Sequence, residues 1–457
     1  MSPASRMTAD ELRASVSLSS IFGLRMLGMF IILPVFAIYA ENLPGGDNLT
    51  LVGIAIGAYG LTQAILQIPF GLWSDQYGRK PVIYAGLVIF AVGSFVAAAA
   101  PDIYIVILGR VLQGAGAISA AVMAMAADLT REEHRAKAMA MIGSTIGATF
   151  ALSVVASPWL NRVIGVPGIF ALTGVLSIAA IAVVYRAVPD IAKGPQRRGY
   201  WPMGHFVRVF KDTQLARLNY GMFVLHAVLM ALFIAVPFSL RDAGLNLDQH
   251  WQVYLPVMLG SFVFMLPFIL RAGRPDQLRR NLTGAVGVLL TIQVLMPLLT
   301  GGVWLIGLFL LVFFTAFNVL EATLPTLVSR MAPPRSKGAA IGVFTSVQFL
   351  GAFVGAAAGG YVYGRWGGTG VVILDALLLV IWLVVARGTR IPAVLSTRVY
   401  ALPALDHSKA AGLMARLQAL PGVHEAVVST AERTAHLKVD STRFDEHNVL
   451  NLIEGET

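Results

Sequence analysis

Twelve runs of mostly apolar residues dominate this sequence, each near the roughly 20 residues that a helix needs to cross the hydrocarbon of a bilayer. They fall at about 17–40, 51–73, 82–100, 103–127, 138–160, 168–188, 218–240, 251–270, 282–300, 303–328, 338–363 and 370–386. Aqueous cores cannot hide that much hydrocarbon. The chain is 57% hydrophobic and 13% charged, against about 25% charged in an average soluble protein. Such a chain is too apolar for water and too poor in charge to be disordered. The expectation is an all-α membrane protein with twelve transmembrane helices. Residues 1–16 carry Arg6, Asp10, Glu11 and Arg13, and the run after them is too long for a signal peptide and lacks a small-residue cleavage site, so it reads as the first span.

Lys and Arg sort the loops into two sets. One set holds Arg79 and Lys80, then Arg131, Arg135 and Lys137, the cluster from Lys193 to Arg217, Arg271 to Arg280, and Arg330 to Lys337. The other holds only Arg162, Arg241 and Arg365. Loops rich in Lys and Arg stay in the cytoplasm, so both termini are expected there, and an even number of spans returns the chain to its starting side. The net charge of +10 then marks contact with an anionic lipid surface, not nucleic acid. With no cysteine in the chain, disulfides, thiolate metal sites and cysteine nucleophiles are excluded.

The chain divides into a six-helix half (1–188), a basic linker (189–217), a second six-helix half (218–387), a short linker (388–396) and a tail (397–457). The basic linker contains GPQRRGYWP and then HFVRVFKDTQLARL, read as an amphipathic helix at the membrane surface, with a solvated linker as the alternative. The halves carry similar signals: Arg135 to Ala140 and Lys337 to Gly342 open the fifth and eleventh runs, while Ile68-Pro69-Phe70 and Leu266-Pro267-Phe268 end the second and eighth. Duplicated halves are a transporter habit. In the tail, the pattern predicts strand (398–402), helix (408–420), strands (423–430 and 434–440) and helix (443–453). This order resembles small ferredoxin-like metal-associated domains, but the loop Leu402 to His407 has no cysteine pair, so metal binding is not carried over. The tail is expected to bind a cytoplasmic ligand or protein for regulation or assembly, or to act as an inert cap.

Between the second and third runs stands Gly71-Leu72-Trp73-Ser74-Asp75-Gln76-Tyr77-Gly78-Arg79-Lys80. It resembles motif A of the major facilitator superfamily, G-x-L-a-D-r-x-G-r-K, through Gly71, Asp75, Gly78, Arg79 and Lys80, with Trp73 and Gln76 as departures. Gly71 allows close helix approach and Gly78 a tight turn. Asp75 suits a helix N-terminus, and Arg79 is a rigid fork for a carboxylate. The resemblance implies a conformational clamp in which Asp75 faces the start of the eleventh span near Gly338 and Arg79 pairs with Asp128. The alternative is that these charges only fix topology. The matching second-half loop has Gly273 at the Asp position.

In the fourth run, Arg110, Gln113, Gly114 and Gly116 resemble motif B of the same superfamily, whose arginine is tied to proton transfer. The fifth run departs from the family's antiporter motif, reading Gly143 to Phe150 without the proline. The chain as a whole is similar to drug:proton antiporter-like transporters of that superfamily that carry a C-terminal ferredoxin-like domain. This implies the major facilitator fold in the bacterial inner membrane. It also implies proton-coupled efflux of small amphipathic compounds by alternating access, with protons and a small-molecule substrate as partners and no cofactor or metal. A metabolite symporter or facilitator, or a membrane sensor that signals through the tail, are the competing readings. No Walker-type phosphate loop and no nucleophile–base pair occurs, so a pump driven by ATP and an enzyme are not expected.

A charge in the bilayer centre costs about 2.5–3.5 kcal/mol on insertion scales, so each one needs a reason. Away from the run ends, Arg25, Arg110, His226, Glu321 and Asp375 are the charged or histidine residues inside the runs. Four of them lie on runs one, four, seven and ten, the helices that line the central cavity in the superfamily. Glu321 is the first candidate proton carrier and His226 the second, since both side chains exchange protons when suitably placed. The alternatives are a structural hydrogen bond for His226, and a structural pair with Arg110 or a backbone group for Glu321. Arg110 would hold or release a carboxylate or meet substrate. Arg25, nearer the cytoplasmic end, is expected to snorkel, and Asp375, nearer the outer end, to pack helices or sit at the interface. Drug exporters of this superfamily often carry an acid in the first span; here the only charge of that run is Arg25. Phe30, Phe36, Met123, Met125, Phe223, Phe233 and Phe317 are candidates for an adaptable apolar pocket.

Overall fold

The structure is a computed structural model that describes residues 7–189, 203–271, 275–299, 301–332, 337–389, 395–403, 407–430, 434–440 and 444–454. GPQRRGYWP and Gly273 lie outside the described residues, apart from the helix Met203–Lys211 that follows the former.

Ten described helices are long and apolar enough to cross a membrane. Two of them, Glu132–Ala187 and Gly338–Arg387, have 56 and 50 residues. At about 1.5 Å per residue each exceeds twice the roughly 30 Å hydrocarbon thickness. Each breaks once, at Gly165 (φ 68°) and Gly367 (φ 60°). Eight single spans and two double ones make twelve crossings among the described residues. In order they are Ala9–Ala40, Leu49–Tyr77, Arg79–Ala98, Ile103–Asp128, 132–164, 166–187, Thr213–Asp242, Leu247–Leu270, Gln277–Leu298, Val303–Met331, 338–366 and 368–387. They are called the first to twelfth spans below.

Side chains fix where several spans begin. Thr8 and Glu11 form a reciprocal capping box at the first. Asn48 Oδ1 accepts from Thr50 N (3.0 Å), Asp102 Oδ1 from Ile105 N (2.9 Å), and Asp212 Oδ1 from Gln214 N (2.8 Å). Each satisfies a backbone donor that a helix start leaves unpaired.

Small residues bring the two halves together. A Cβ at Gly57 would lie 2.9 Å from Phe353 O, and one at Gly60 2.7 Å from Phe349 O, so the second and eleventh spans pack backbone to backbone. Gly360 meets Leu49 O of the second span in the same way. These contacts occupy the end remote from the basic loops. Arg241 Nη1 also reaches Glu41 Oε2 there (2.6 Å), and Arg162 Nη1 lies 3.7 Å from Asp248 Oδ2. At the basic end, a Cβ added at Gly143, Gly147, Gly338 or Gly342 would meet nothing within 4 Å among the described residues. Among the described residues the halves are therefore joined from mid-depth to the far end, while these glycines at the basic end face open space.

The tail, taken by itself, is a βαββα unit. Strands β1 (Leu395–Ala401), β2 (Val423–Ser429) and β3 (Thr434–Asp440) form an antiparallel sheet in the order β1-β3-β2. Leu437 pairs with Arg398 on one side and Ala426 on the other. Alternate residues Ala435, Leu437 and Val439 are buried against Leu413 and Leu417 of the helix His407–Gln418 and Val449 and Ile453 of the helix Glu446–Glu454. Strand periodicity on β3 and helix periodicity on its neighbours build this core.

Candidate functional site

At the turn between the second and third spans, Gly78 has φ 99°. A side chain there would be strained, and this turn aims Arg79 back along the second span. Arg79 Nη1 lies 2.5 Å from Asp75 Oδ1, and its Nε lies 3.0 Å from Asp128 Oδ2 at the end of the fourth span. Arg79 Nη1 also donates to Ser74 Oγ (2.7 Å), whose hydroxyl donates to Gly71 O (2.6 Å). A Cβ at Gly71 would sit 3.1 Å from the Cβ of Ala120. Lys80 is partly buried one residue further on. The expected meeting of Asp75 with Gly338 does not occur: Asp75 pairs with Arg79, and Gly338 faces open space among the described residues. The physical reason is the separation of the halves at this end.

The buried charges form two groups. In the first half, Arg110 Nη1 donates to Gly28 O (3.0 Å) and Gln113 Oε1 (2.8 Å), Nη2 to Ile56 O (3.2 Å) and Nε to Ala55 O (3.4 Å). Gln113 Nε2 continues the chain to Ser94 Oγ at 2.8 Å. Gly114 abuts Tyr59 O and Gly116 abuts Gly86 O, so the glycines press the fourth span onto the second and third. Arg110 thus staples three spans through backbone carbonyls, and the alternative in which it pairs with Glu321 is not what the geometry gives. Arg25 donates through Nη1 to Ser119 Oγ (2.7 Å) and through Nη2 to Gln63 Oε1. Arg25 is 2% exposed and does not snorkel. Both arginines turn into the helix packing of their own half, which departs from the expectation that all four charges share one cavity.

In the second half, His226 Nε2 lies 3.8 Å from Glu321 Oε2, bringing the seventh and tenth spans' charges together. His226 Nδ1 sits 3.3 Å from Met222 O and Nε2 sits 2.8 Å from Gln348 Nε2. One arrangement satisfies both contacts: Nδ1 carries the proton and donates to the carbonyl, while Nε2 accepts from the amide. Glu321 Oε2 has no hydrogen-bond partner, and its side chain is 32% exposed. Phe317 stands edge-on to His226 with ring centres 5.9 Å apart. Phe150 of the fifth span touches Phe30, Phe233, Phe314 and Phe317 at 5.0–6.3 Å. Of the pocket candidates, Phe30, Phe233 and Phe317 therefore meet across the halves. Phe36 instead packs on Tyr39 and Phe170. Asp375 is fully buried and accepts from Gln293 Nε2 at 2.6 Å, a contact between the twelfth and ninth spans.

Reading charges alone missed Gln63, Gln67, Gln293 and Gln348. A pair of glutamines four apart in an apolar run, such as Gln63 and Gln67, was the available signal, because i and i+4 share a helix face. Phe150 lay outside the candidates because they came from the first, fourth, seventh and tenth runs, and it lies on the fifth.

Comparison with known proteins agrees with this architecture. Residues 18–356 match the family described as Major Facilitator Superfamily. The chain is 40% identical over 437 residues, covering 95% of this chain and 96% of the relative, to the inner membrane transport protein YajR of Escherichia coli. It is 25% identical to the quinolone resistance protein NorA of Staphylococcus aureus over 345 residues, covering 72% and 84% of the two chains. The structure of the human organic anion transporter MFSD10 superposes with a TM-score of 0.64 at 17% identity, covering 82% of this chain and 99% of that one, a likeness of fold.

Proposed function

This chain belongs to the Major Facilitator Superfamily and is a multi-pass membrane transporter of small molecules, not an enzyme; from that premise we propose that it is a proton-coupled exporter of small amphipathic compounds. The observation that carries the coupling is the 3.8 Å approach of Glu321 Oε2 to His226 Nε2. Glu321 has an oxygen without a hydrogen-bond partner, so it can take a proton without first breaking a bond. As a neutral acid its hydroxyl can turn toward the lone pair on His226 Nε2. As a carboxylate it faces that lone pair with no proton to share, which gives the protein two states of different local electrostatics for one proton. The phenylalanines around Phe150 offer an apolar platform one ring away from His226 for the body of an amphipathic substrate.

We take the basic end as cytoplasmic, by the distribution of Lys and Arg, with both termini on that side and the protein in the bacterial inner membrane. On this reading the state described is open to the cytoplasm and closed at the far side. Asp75, Arg79 and Asp128 then act in the opposite state. When the basic ends approach, Asp75 exchanges Arg79 for the positive N-terminus of the eleventh span, while Arg79 stays on Asp128. Proteoliposomes with an imposed pH gradient test the proposal. Counter-gradient movement of an amphipathic dye should follow the proton gradient and collapse with a protonophore; transport indifferent to the gradient would leave a facilitator.

A further inference from the structure

The two buried arginines of the first half are held differently. Arg110 uses all three of its nitrogens on four acceptors. Arg25 places Nη1 on Ser119 and Nη2 on Gln63, and its Nε has no partner. Around it the same shortage recurs. Gln67 Oε1 accepts from Gln63 Nε2 at 3.0 Å, and Gln67 Nε2 has no acceptor. The Tyr59 hydroxyl is unpartnered, and its ring is flanked by both guanidiniums, with Cζ atoms 5.6 Å (Arg25) and 5.1 Å (Arg110) from the centroid. Arg25, Tyr59, Gln63, Gln67 and Ser119 are all no more than 2% exposed.

Each of the three unpartnered groups is a donor. Among the described residues no carboxylate lies within 4 Å of either arginine. A buried cation without a counter-charge and with an open donor is costly, and one group completes both deficits: an anionic acceptor. A helix-packing role explains Arg110 but leaves Arg25 with its Nε idle.

We propose that Arg25, with Gln67 and Tyr59, receives the carboxylate of an amphipathic organic anion, which is the class of compound this transporter carries. Arg25 Nε and the Gln67 amide supply hydrogen bonds and the guanidinium supplies the charge, a charge-assisted arrangement stronger than neutral bonds. The ring of Phe349 lies 6.5 Å from that of Tyr59, so the eleventh span covers the site where the halves are joined. Separating the second and eleventh spans uncovers it. The inference rests on the transporter reading above and is independent of proton coupling and direction.

The test is binding to the purified full-length protein, read by thermal shift and by quenching of tryptophan fluorescence, with no gradient present. Benzoate, benzylamine, benzamide and sodium chloride are the probes. Benzoate is expected to stabilise the protein, with benzylamine and benzamide without effect. Arg25→Gln should weaken benzoate at least about tenfold, and Arg25→Lys should restore part of it. Should Arg25→Gln not fold, Gln67→Leu and Tyr59→Phe each remove one donor and should each weaken benzoate severalfold. Equal binding of benzoate by wild type and the folded variants overturns the proposal. So does preference for benzylamine, or equal stabilisation by chloride, which would make the occupant an inorganic ion. Benzoate binding without gradient-driven transport would instead remove the coupling and leave this site standing.

Discussion

Arg79 holds two carboxylates at once, Asp75 Oδ1 at 2.5 Å and Asp128 Oδ2 at 3.0 Å. The first lies within its own turn and the second on the fourth span, so a single guanidinium both closes the loop and ties the second, third and fourth spans together. Asp75 is half exposed and its bond is local, which leaves it free to change partners. Exposed ion pairs contribute little to stability, so its value lies in choosing a state.

Asp75→Asn should therefore preserve folding and bias the protein toward the state described here, open at the basic end. The chain has no cysteine, so a single Gly342→Cys reports cleanly. Maleimide labelling of that position should rise severalfold in the Asp75→Asn background. Asp128→Asn should act in the same direction by freeing Arg79. Unchanged labelling in both would mean that the loop charges only set topology.

Glu321→Gln keeps the shape of the side chain and removes its charge. Insertion and melting temperature should stay near wild type, since Oε2 makes no hydrogen bond to lose. Transport should fall at least about tenfold and its dependence on external pH should flatten. A wild-type pH profile in this variant would eliminate Glu321 as the carrier.

Gly57→Leu places a side chain where Phe353 O lies 2.9 Å from the Cβ position. The backbone of the eleventh span cannot retreat without separating the far end. Ala356, fully buried in that contact, should become labelled as Ala356→Cys when Gly57→Leu is added. Protection as strong as in the parent would show that the glycine face does not hold that end shut.

Glu11 ties the start of the first span to the start of the fifth. Its Oε1 accepts from Arg131 N and Nε, both at 2.9 Å, and its Oε2 from Arg131 Nη2 at 3.1 Å and Thr8 N at 2.8 Å. Glu11→Ala removes the cap and the cross-link together, and the melting temperature should drop by several degrees, with Glu11→Gln intermediate because it keeps an acceptor. A variant as stable as wild type would show that this contact is redundant.

The sequence by itself determined the number of crossings, their order, the presence of a small α/β tail and the residues whose burial needs explaining. Those are local properties: a run of apolar side chains commits about 20 residues to the bilayer whatever lies elsewhere, and alternation in His436 to Asp440 commits a strand to one buried face. Partnership is not local. His226 and Gln348 are 122 residues apart and Gln293 and Asp375 are 82 apart, and no spacing rule connects them. Only the tertiary structure decided that Arg110 is saturated by carbonyls while Arg25 keeps an open donor, and that Asp75 sits on Arg79 instead of the eleventh span. The physical reason is that a hydrogen bond is fixed within a few tenths of an ångström and a few tens of degrees, whereas hydrophobicity specifies only which side of a helix is buried.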